Sequence, residues 1–211
     1  VVASLEYRLS GEVGFPAQLQ DSRAAIRFLK SNAAKYGIDP ARVGVWGGSA
    51  GGHLSALTAY SCGVLSLDPA PAPAGSECVQ AAAIWYGVFD FAPMLARQQN
   101  ANSPEQNLLR CKPSECPADR VVAASPVSYV DRNDPPTLLI HGEKDVVVDV
   151  SQSRDAEARL KAAGASVESI YIAGVDHSFI GATPAETRAA TLQATNATFD
   201  FFHKTLKSKT P

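Results

Sequence analysis

Apolar positions along this chain follow two alternating patterns. Short apolar runs bounded by glycine, proline or polar residues read as strands, at residues 1–7, 43–46, 79–86, 136–141 and 167–173. Between them, apolar residues recur every three or four positions, as in helices. Phe15-Pro16 opens a helix that runs to about Tyr36, with Ile26, Leu29 and Ala33 on one stripe and Gly37 as its C-terminal cap. Asp39-Pro40 makes a capped turn, residues 53–59 read as a helix, and residues 151–163 form a helix closed by Gly164. Residues 184–206 form the terminal helix, and 68–75 are a Pro/Ala loop. Residues 90–130 carry Pro104, Pro113, Pro117 and Pro126 and read as irregular, a long insertion of the kind that covers or shapes a site. The β-then-α rhythm predicts one α/β domain over residues 1–211, with about five strands in a mostly parallel sheet and helices on both faces.

Composition narrows the classes of function. At 211 residues, with 45% hydrophobic and 19% charged residues, the chain can bury one sizeable core. Nineteen basic and 21 acidic residues leave it near neutrality, without the basic stripe that nucleic acid or an anionic membrane surface would select. No apolar run approaches the ~20 residues of a membrane span. Four cysteines fall into two local pairs, Cys62 with Cys78 and Cys111 with Cys116. Proximity favours those two disulfides over the other pairings or free thiols. A zinc site is disfavoured, because no histidine lies nearby in sequence and the spacing is loose. Disulfides imply an oxidising compartment, periplasmic or secreted. The chain opens at Val1 inside a strand-like segment, without an initiator methionine or signal peptide, so upstream sequence is expected.

The densest chemistry lies in Trp46-Gly47-Gly48-Ser49-Ala50-Gly51-Gly52, which contains G-x-S-x-G between an apolar strand and a helix. That context marks a nucleophile elbow rather than an ordinary Gly/Ser loop. Small neighbours permit the strained serine backbone, and the helix N-terminus aims free N–H groups at the reacting atom.

A serine hydroxyl needs a base, and the base needs an orienting acid. In a parallel sheet the residues after the strand ends share one crevice. Asp145 follows the fourth predicted strand in His141-Gly142-Glu143-Lys144-Asp145, and His177 follows the fifth. The order Ser49, Asp145, His177 is the Ser, acid, His order of α/β-hydrolases. Among the four histidines, His53 reads as packing, His141 as structural and His203 as surface. Glu143 and Asp149 are rivals for the acid, one in a solvated pair with Lys144 and the other capping the following helix; Asp176 reads as a turn residue. Trp46, Trp85, Tyr86, Phe89 and Phe179 lie near predicted strand ends, where they line a pocket or pack the core. Asn196-Ala197-Thr198 has the form of a glycosylation sequon but falls within a predicted helix.

Tyr7-Arg8-Leu9-Ser10, Phe15-Pro16-Ala17, Asp21 with residues 24–29, residues 36–40, Gly47 to His53, Ser125-Pro126, residues 134–136, residues 141–145 and His177-Ser178-Phe179 together resemble the BD-FAE-like carboxylesterases. These are α/β-hydrolases near the hormone-sensitive lipase group that include acetylxylan and feruloyl esterase types. The resemblance spans nearly the whole chain. It implies Ser49, Asp145 and His177 as the triad, the Ala50 amide as one oxyanion donor, a small-molecule ester substrate, and no metal or cofactor. Short acyl groups on carbohydrate or aryl alcohols are favoured on this ground alone, and the same triad would serve an arylformamidase or a peptidase. The family's upstream His-Gly-Gly-Gly segment, which completes the oxyanion hole, has no match here, and the chain begins at what looks like the family's fourth strand. The expectation is that upstream residues complete the sheet, that residues 1–7 re-pair, or that a second chain, in a homo-oligomer or another partner, supplies the edge. The competing function is a weak or inactive hydrolase fold acting as a binding module.

Overall fold

The computed structural model describes residues 1–97 and 103–207. Its elements are α1 (Ala17–Ser31), α2 (Ala33–Tyr36), β1 (Gly44–Gly48), α3 (Ala50–Tyr60), β2 (Ala81–Trp85), α4 (Phe91–Arg97), α5 (Pro104–Leu109), α6 (Ala118–Ala124), β3 (Thr137–Gly142), α7 (Ser151–Ala163), β4 (Val167–Ile172) and α8 (Pro184–Thr205). The strands form one parallel sheet in the order β1-β2-β3-β4. All six residues of β3 are buried, as a central parallel strand with both faces covered requires.

Alternate residues of the strands serve two cores. Ala82, Ile84 and Leu139 pack against Ile26 of α1, Ala56, Ala59 and Tyr60 of α3, and Ala156 and Leu160 of α7. Ala81, Ala83, Leu138 and Ile140 face the other way, against Ala190, Ala194 and Phe201 of α8. Helix α8 starts at a capping box, in which Thr183 and Glu186 each accept the other's backbone N–H. No helix among the described residues is long and apolar enough to cross a membrane.

Helix α1 also carries a buried charge network. Arg23 and Arg27 share Asp68 at 3.1 and 2.8 Å, and Arg27 reaches Glu77 at 2.8 Å. The network ties α1 to the loop that the Cys62–Cys78 disulfide closes. Cys111 and Cys116 form the second disulfide.

Three expectations change. Residues 1–7 form no strand; Val1 and Val2 are 91% and 86% exposed, and among the described residues the sheet has four strands rather than five. A strand exists only as part of a ladder, and this segment is tethered elsewhere. The amide and guanidinium of Arg8 hold the Asp21 carboxylate of α1 at 2.7–3.2 Å. The helix expected from Pro16 to Tyr36 is broken at Asn32, whose side-chain amide donates to the Phe28 carbonyl at 2.8 Å and competes with the helical ladder. The described residues of 90–130 are not irregular: they contain α4, α5, α6 and two single 3₁₀ turns. The prolines there begin turns rather than break them. Pro104 opens α5 behind the Ser103 cap, and Pro113 and Pro126 open the 3₁₀ turns. The segment has its own apolar cluster, in which Val88, Phe91, Met94, Leu95, Leu109 and Ala124 meet Val148.

Candidate active site

Parallel strands all end on the same side, so the loops after β1, β2, β3 and β4 converge there. Ser49 is the hinge between β1 and α3, with φ 55° and ψ −119°. Its amide donates to the Trp85 carbonyl at 3.0 Å, which locks the hinge to β2. A Cβ at Gly47 would overlap the carbonyl of Gly51, so only glycine lets the helix fold back this closely. Strain concentrates here. Of the five described non-glycine residues with positive φ, Ser49, Tyr86, Ser178 and Phe179 lie in these loops; only Arg110 lies elsewhere. Backbone of this kind costs ~1–3 kcal/mol per residue and persists where surrounding packing enforces it.

The structure brings Ser49, His177 and Asp145 together. His177 Nε2 lies 3.0 Å from Ser49 Oγ, and His177 Nδ1 lies 2.7 Å from Asp145 Oδ2. The Asp145 side chain is buried, whereas that of His177 is 17% exposed. The amides of Val147 and Val148 donate to Asp145 Oδ1 at 2.9 and 2.8 Å. Burial opposes ionisation of Asp145. Hydrogen bonds from His141, His177 and the Val148 amide, with the charge of His177, outweigh it and hold the carboxyl well below the usual carboxylate range. A Cβ at Gly142 would come 2.5 Å from the Val175 carbonyl, so the glycine lets the β3 loop press against the loop carrying His177.

His53, His203, Glu143 and Asp149 fall outside this constellation, whereas His141, expected to be structural, touches it through Asp145 Oδ2 at 3.1 Å. His53 is buried in α3, donates from Nε2 to the Ala124 carbonyl at 2.8 Å and meets the Phe91 ring. Burial pushes it down to about 4 despite that hydrogen bond. His203 is exposed. Glu143 pairs with Arg154 at 2.9 Å, and Asp149 accepts the Ser151 amide at 3.0 Å. Ala50 is the first residue of α3, where amides have no intrahelical partner. Thr198 of the sequon is fully buried and bonded to the Ala194 carbonyl and the Trp85 indole.

Two contacts were not anticipated. Asp176 Oδ1 accepts the amides of both Val146 and His177, at 2.9 and 2.6 Å, and so joins the two loops. The Tyr86 ring stands edge-on to His177, with centroids 4.8 Å apart, and also meets Phe179. Phe89 is core, 1% exposed, whereas Trp46 is 40% exposed on β1 and packs on Trp85 and Phe199.

A parallel sheet flanked by helices, with a strained serine at a strand-to-helix hinge, defines an α/β-hydrolase fold with a nucleophile elbow. The chain belongs to the BD-FAE family, which matches residues 1–160. Esterase LipQ of Mycobacterium tuberculosis is 38% identical over 174 residues, which cover 80% of this chain and 40% of that protein. A truncated form of a carbohydrate esterase from gut microbiota is 32% identical with a TM-score of 0.81, covering 97% of this chain and 74% of that one. An acetyl ester-xyloside bifunctional hydrolase from Caldicellulosiruptor lactoaceticus is 25% identical with a TM-score of 0.73, covering 93% and 70%. The chain thus spans 40% of the length of its relative LipQ.

Proposed function

We propose that this protein is a serine carboxylesterase in which Ser49 is the nucleophile, His177 the base and Asp145 the acid. The observation that carries the reading is the continuous line of hydrogen bonds Ser49–His177–Asp145, at 3.0 and 2.7 Å, on a strained elbow. His177 Nε2 takes the Oγ proton as Ser49 attacks the ester carbonyl carbon. The oxyanion that forms faces the Ala50 amide at the start of α3. As the tetrahedral intermediate collapses, His177 returns the proton to the leaving alcohol and Ser49 holds the acyl group. Water, deprotonated by the same imidazole, attacks the acyl-enzyme, and the carboxylic acid leaves with Ser49 restored.

Carbohydrate esterase and acetyl ester hydrolase among the structural relatives favour a small acyl group on a sugar alcohol as substrate. Residues 90–130 form one wall of the crevice in this reading, because their apolar cluster includes Val148, beside the loop of Asp145. The two disulfides suit a periplasmic or secreted location.

The second oxyanion donor and the free side of β1 belong together in our reading. β1 pairs with β2 alone among the described residues, and Trp46 and Phe199 beside it are 40% and 47% exposed. A segment of the whole protein or a second chain, laid along β1, would cover both aromatics and bring an N–H to the Ala50 side. One oxyanion donor is worth ~10²–10³ in rate.

The test is hydrolysis of p-nitrophenyl acetate and acetylated xylo-oligosaccharides by the wild type and Ser49→Ala. Turnover that disappears with Ser49 is expected; equal rates would sink the esterase reading in favour of a binding module. Size-exclusion chromatography with light scattering tests the second chain, which a strict monomer at working concentration excludes.

A further inference from the structure

His141 ends the apolar run of β3, four residues before Asp145, and is fully buried. Its ring is hydrogen-bonded at both nitrogens. Nε2 faces two acceptors, the Val148 carbonyl at 2.8 Å and Asp145 Oδ2 at 3.1 Å. Nδ1 meets Ser153 Oγ of α7 at 2.7 Å. A carbonyl can only accept, so Nε2 carries the proton, and Nδ1 is then free to accept from the Ser153 hydroxyl. Asp145 Oδ2 therefore receives two imidazole N–H groups, from His141 and His177, while Oδ1 receives two backbone amides. The carboxylate's lone-pair sites are filled, and its plane is fixed from three sides.

We propose that His141, oriented by Ser153, is a positioning residue for Asp145, one that fixes the acid and limits how much of its charge reaches His177. The proposal rests on the reading of Ser49, His177 and Asp145 as an acyl-transfer site. Its physics is a competition for one oxygen. The His141 N–H dipole points its positive end at Oδ2, the atom that holds the His177 Nδ1 proton. That dipole stabilises the carboxylate and disfavours a positive charge on His177. Without it, more of the carboxylate charge falls on His177, and the protonated imidazole becomes easier to form. The other groups facing His177 are the Ser49 hydroxyl, the Tyr86 ring and, at its own amide, the Asp176 carboxylate. Those facing His141 are Asp145, Ser153 and the Val148 carbonyl, with the charge of Asp149 nearby. Replacing His141 leaves these groups in place, so a change in the behaviour of His177 reports the missing donor.

The experiment uses the whole protein with ¹³C-labelled histidine, titrated by NMR, in parallel with the pH profile of kcat/KM. Variants are His141→Leu, His141→Gln and Ser153→Ala. In His141→Leu the His177 titration and the acidic limb of the profile should both move to higher pH. kcat/KM at its optimum should fall roughly ten- to a hundred-fold, the range for losing a hydrogen bond to a charged group. His141→Gln keeps an N–H that can reach Oδ2 and should recover part of the rate and most of the shift. Ser153→Ala removes a single hydroxyl and should give a smaller shift in the same direction. It decides the matter if the leucine variant does not fold. A His177 titration that stays in place in every folded variant overturns the proposal, as does a glutamine variant as impaired as leucine. The titration is read without turnover, so a shifted His177 in a protein whose rate ignores Ser49 would refute the esterase and leave the positioning role standing.

Discussion

Replacing Asp145 by asparagine should silence the site without emptying it. The carboxylate accepts four hydrogen bonds, two on each oxygen. Asparagine offers one acceptor oxygen and one donor amide. The Val147 and Val148 amides, at 2.9 and 2.8 Å, can only donate, so the asparagine oxygen must turn to them. Its NH₂ group then faces Nδ1 of His177, which can accept only by moving the ring proton to Nε2. Nε2 sits 3.0 Å from Ser49 Oγ, where the base is needed, and now presents a proton instead of a lone pair. His141 cannot adapt in the same way, because the Val148 carbonyl holds its Nε2 proton in place. An acid-to-amide change that inverts this tautomer in a serine protease triad lowers kcat by ~10⁴. The same loss here corresponds to about 5.4 kcal/mol at ~1.36 kcal/mol per decade. KM should barely move, because the Asp145 side chain is buried and out of reach of substrate. The assay is kcat and KM for p-nitrophenyl acetate, with labelling of Ser49 by a fluorophosphonate as a second readout and circular dichroism as the folding control. A folded variant with kcat within tenfold of wild type would refute the reasoning, because His177 would then be oriented by something other than Asp145.

Other consequences follow from local geometry. Gly47→Ala puts a methyl group into the Gly51 carbonyl, so the elbow must open; activity should be lost together with at least the ~1–3 kcal/mol of an overpacked core, read by urea unfolding. Asp68→Ala removes the carboxylate that Arg23 and Arg27 share, leaving Glu77 on Arg27 and, among the described residues, no ion-pair partner on the buried Arg23, and should cost about 3–5 kcal/mol in the same experiment. Burial, helped by repulsion from Asp131, pushes the Asp134 carboxyl up to about 7 against the hydrogen bond it accepts from the Asp131 amide. A value raised above the ordinary ~3.9 means that folding favours the protonated acid, so its contribution declines as pH rises towards 7. Asp134→Asn should therefore raise Tm at pH 8 and leave it unchanged at pH 4; an equal gain at both would contradict this account.

The parts of the fold legible in the sequence are those specified by short-range pattern. The strands at 79–86 and 136–141 announce themselves because a central parallel strand, buried on both faces, is apolar along most of its length, while those at 43–46 and 167–173, at the sheet's two edges, show as shorter or interrupted apolar runs bounded by turn residues. Ser49, Asp145 and His177 stand out because each lies just after such a run, and parallel strands bring those points together. What was not legible depends on partners far away in the chain. Residues 1–7 look like a strand, yet no strand among the described residues pairs with them, and Arg8 commits the segment to Asp21. Helices α4 to α6 are six or seven residues long, too short for a periodic signal, and the prolines that begin their turns read as breakers. Ser153 and Asp176 act through side chains that meet residues 12 and 30 positions away, which spacing along the chain does not foretell.

The supports of Ser49 are unequal on its two sides, and this has a consequence for rate. On one side the elbow is held by β2, through the Trp85 carbonyl, and by the crowding of Gly47 against α3. On the other, β1 meets no strand among the described residues, and the aromatic pair Trp46 and Phe199 faces outward. A serine at φ 55° stores strain that only its neighbours can enforce. Covering the free side of β1 would add ladder hydrogen bonds to the strand that carries the elbow and bury the exposed part of Trp46. It would also place a second N–H near the developing oxyanion. Stability and kcat should therefore rise together when that side is covered. If a segment or second chain lies along β1, Trp46→Lys puts a charge against it and should lower both by weakening that contact, while leaving the Ser49–His177 hydrogen bond intact. Tm and kcat measured side by side decide it. A Trp46→Lys protein with normal kcat would show that the elbow needs no support from that side.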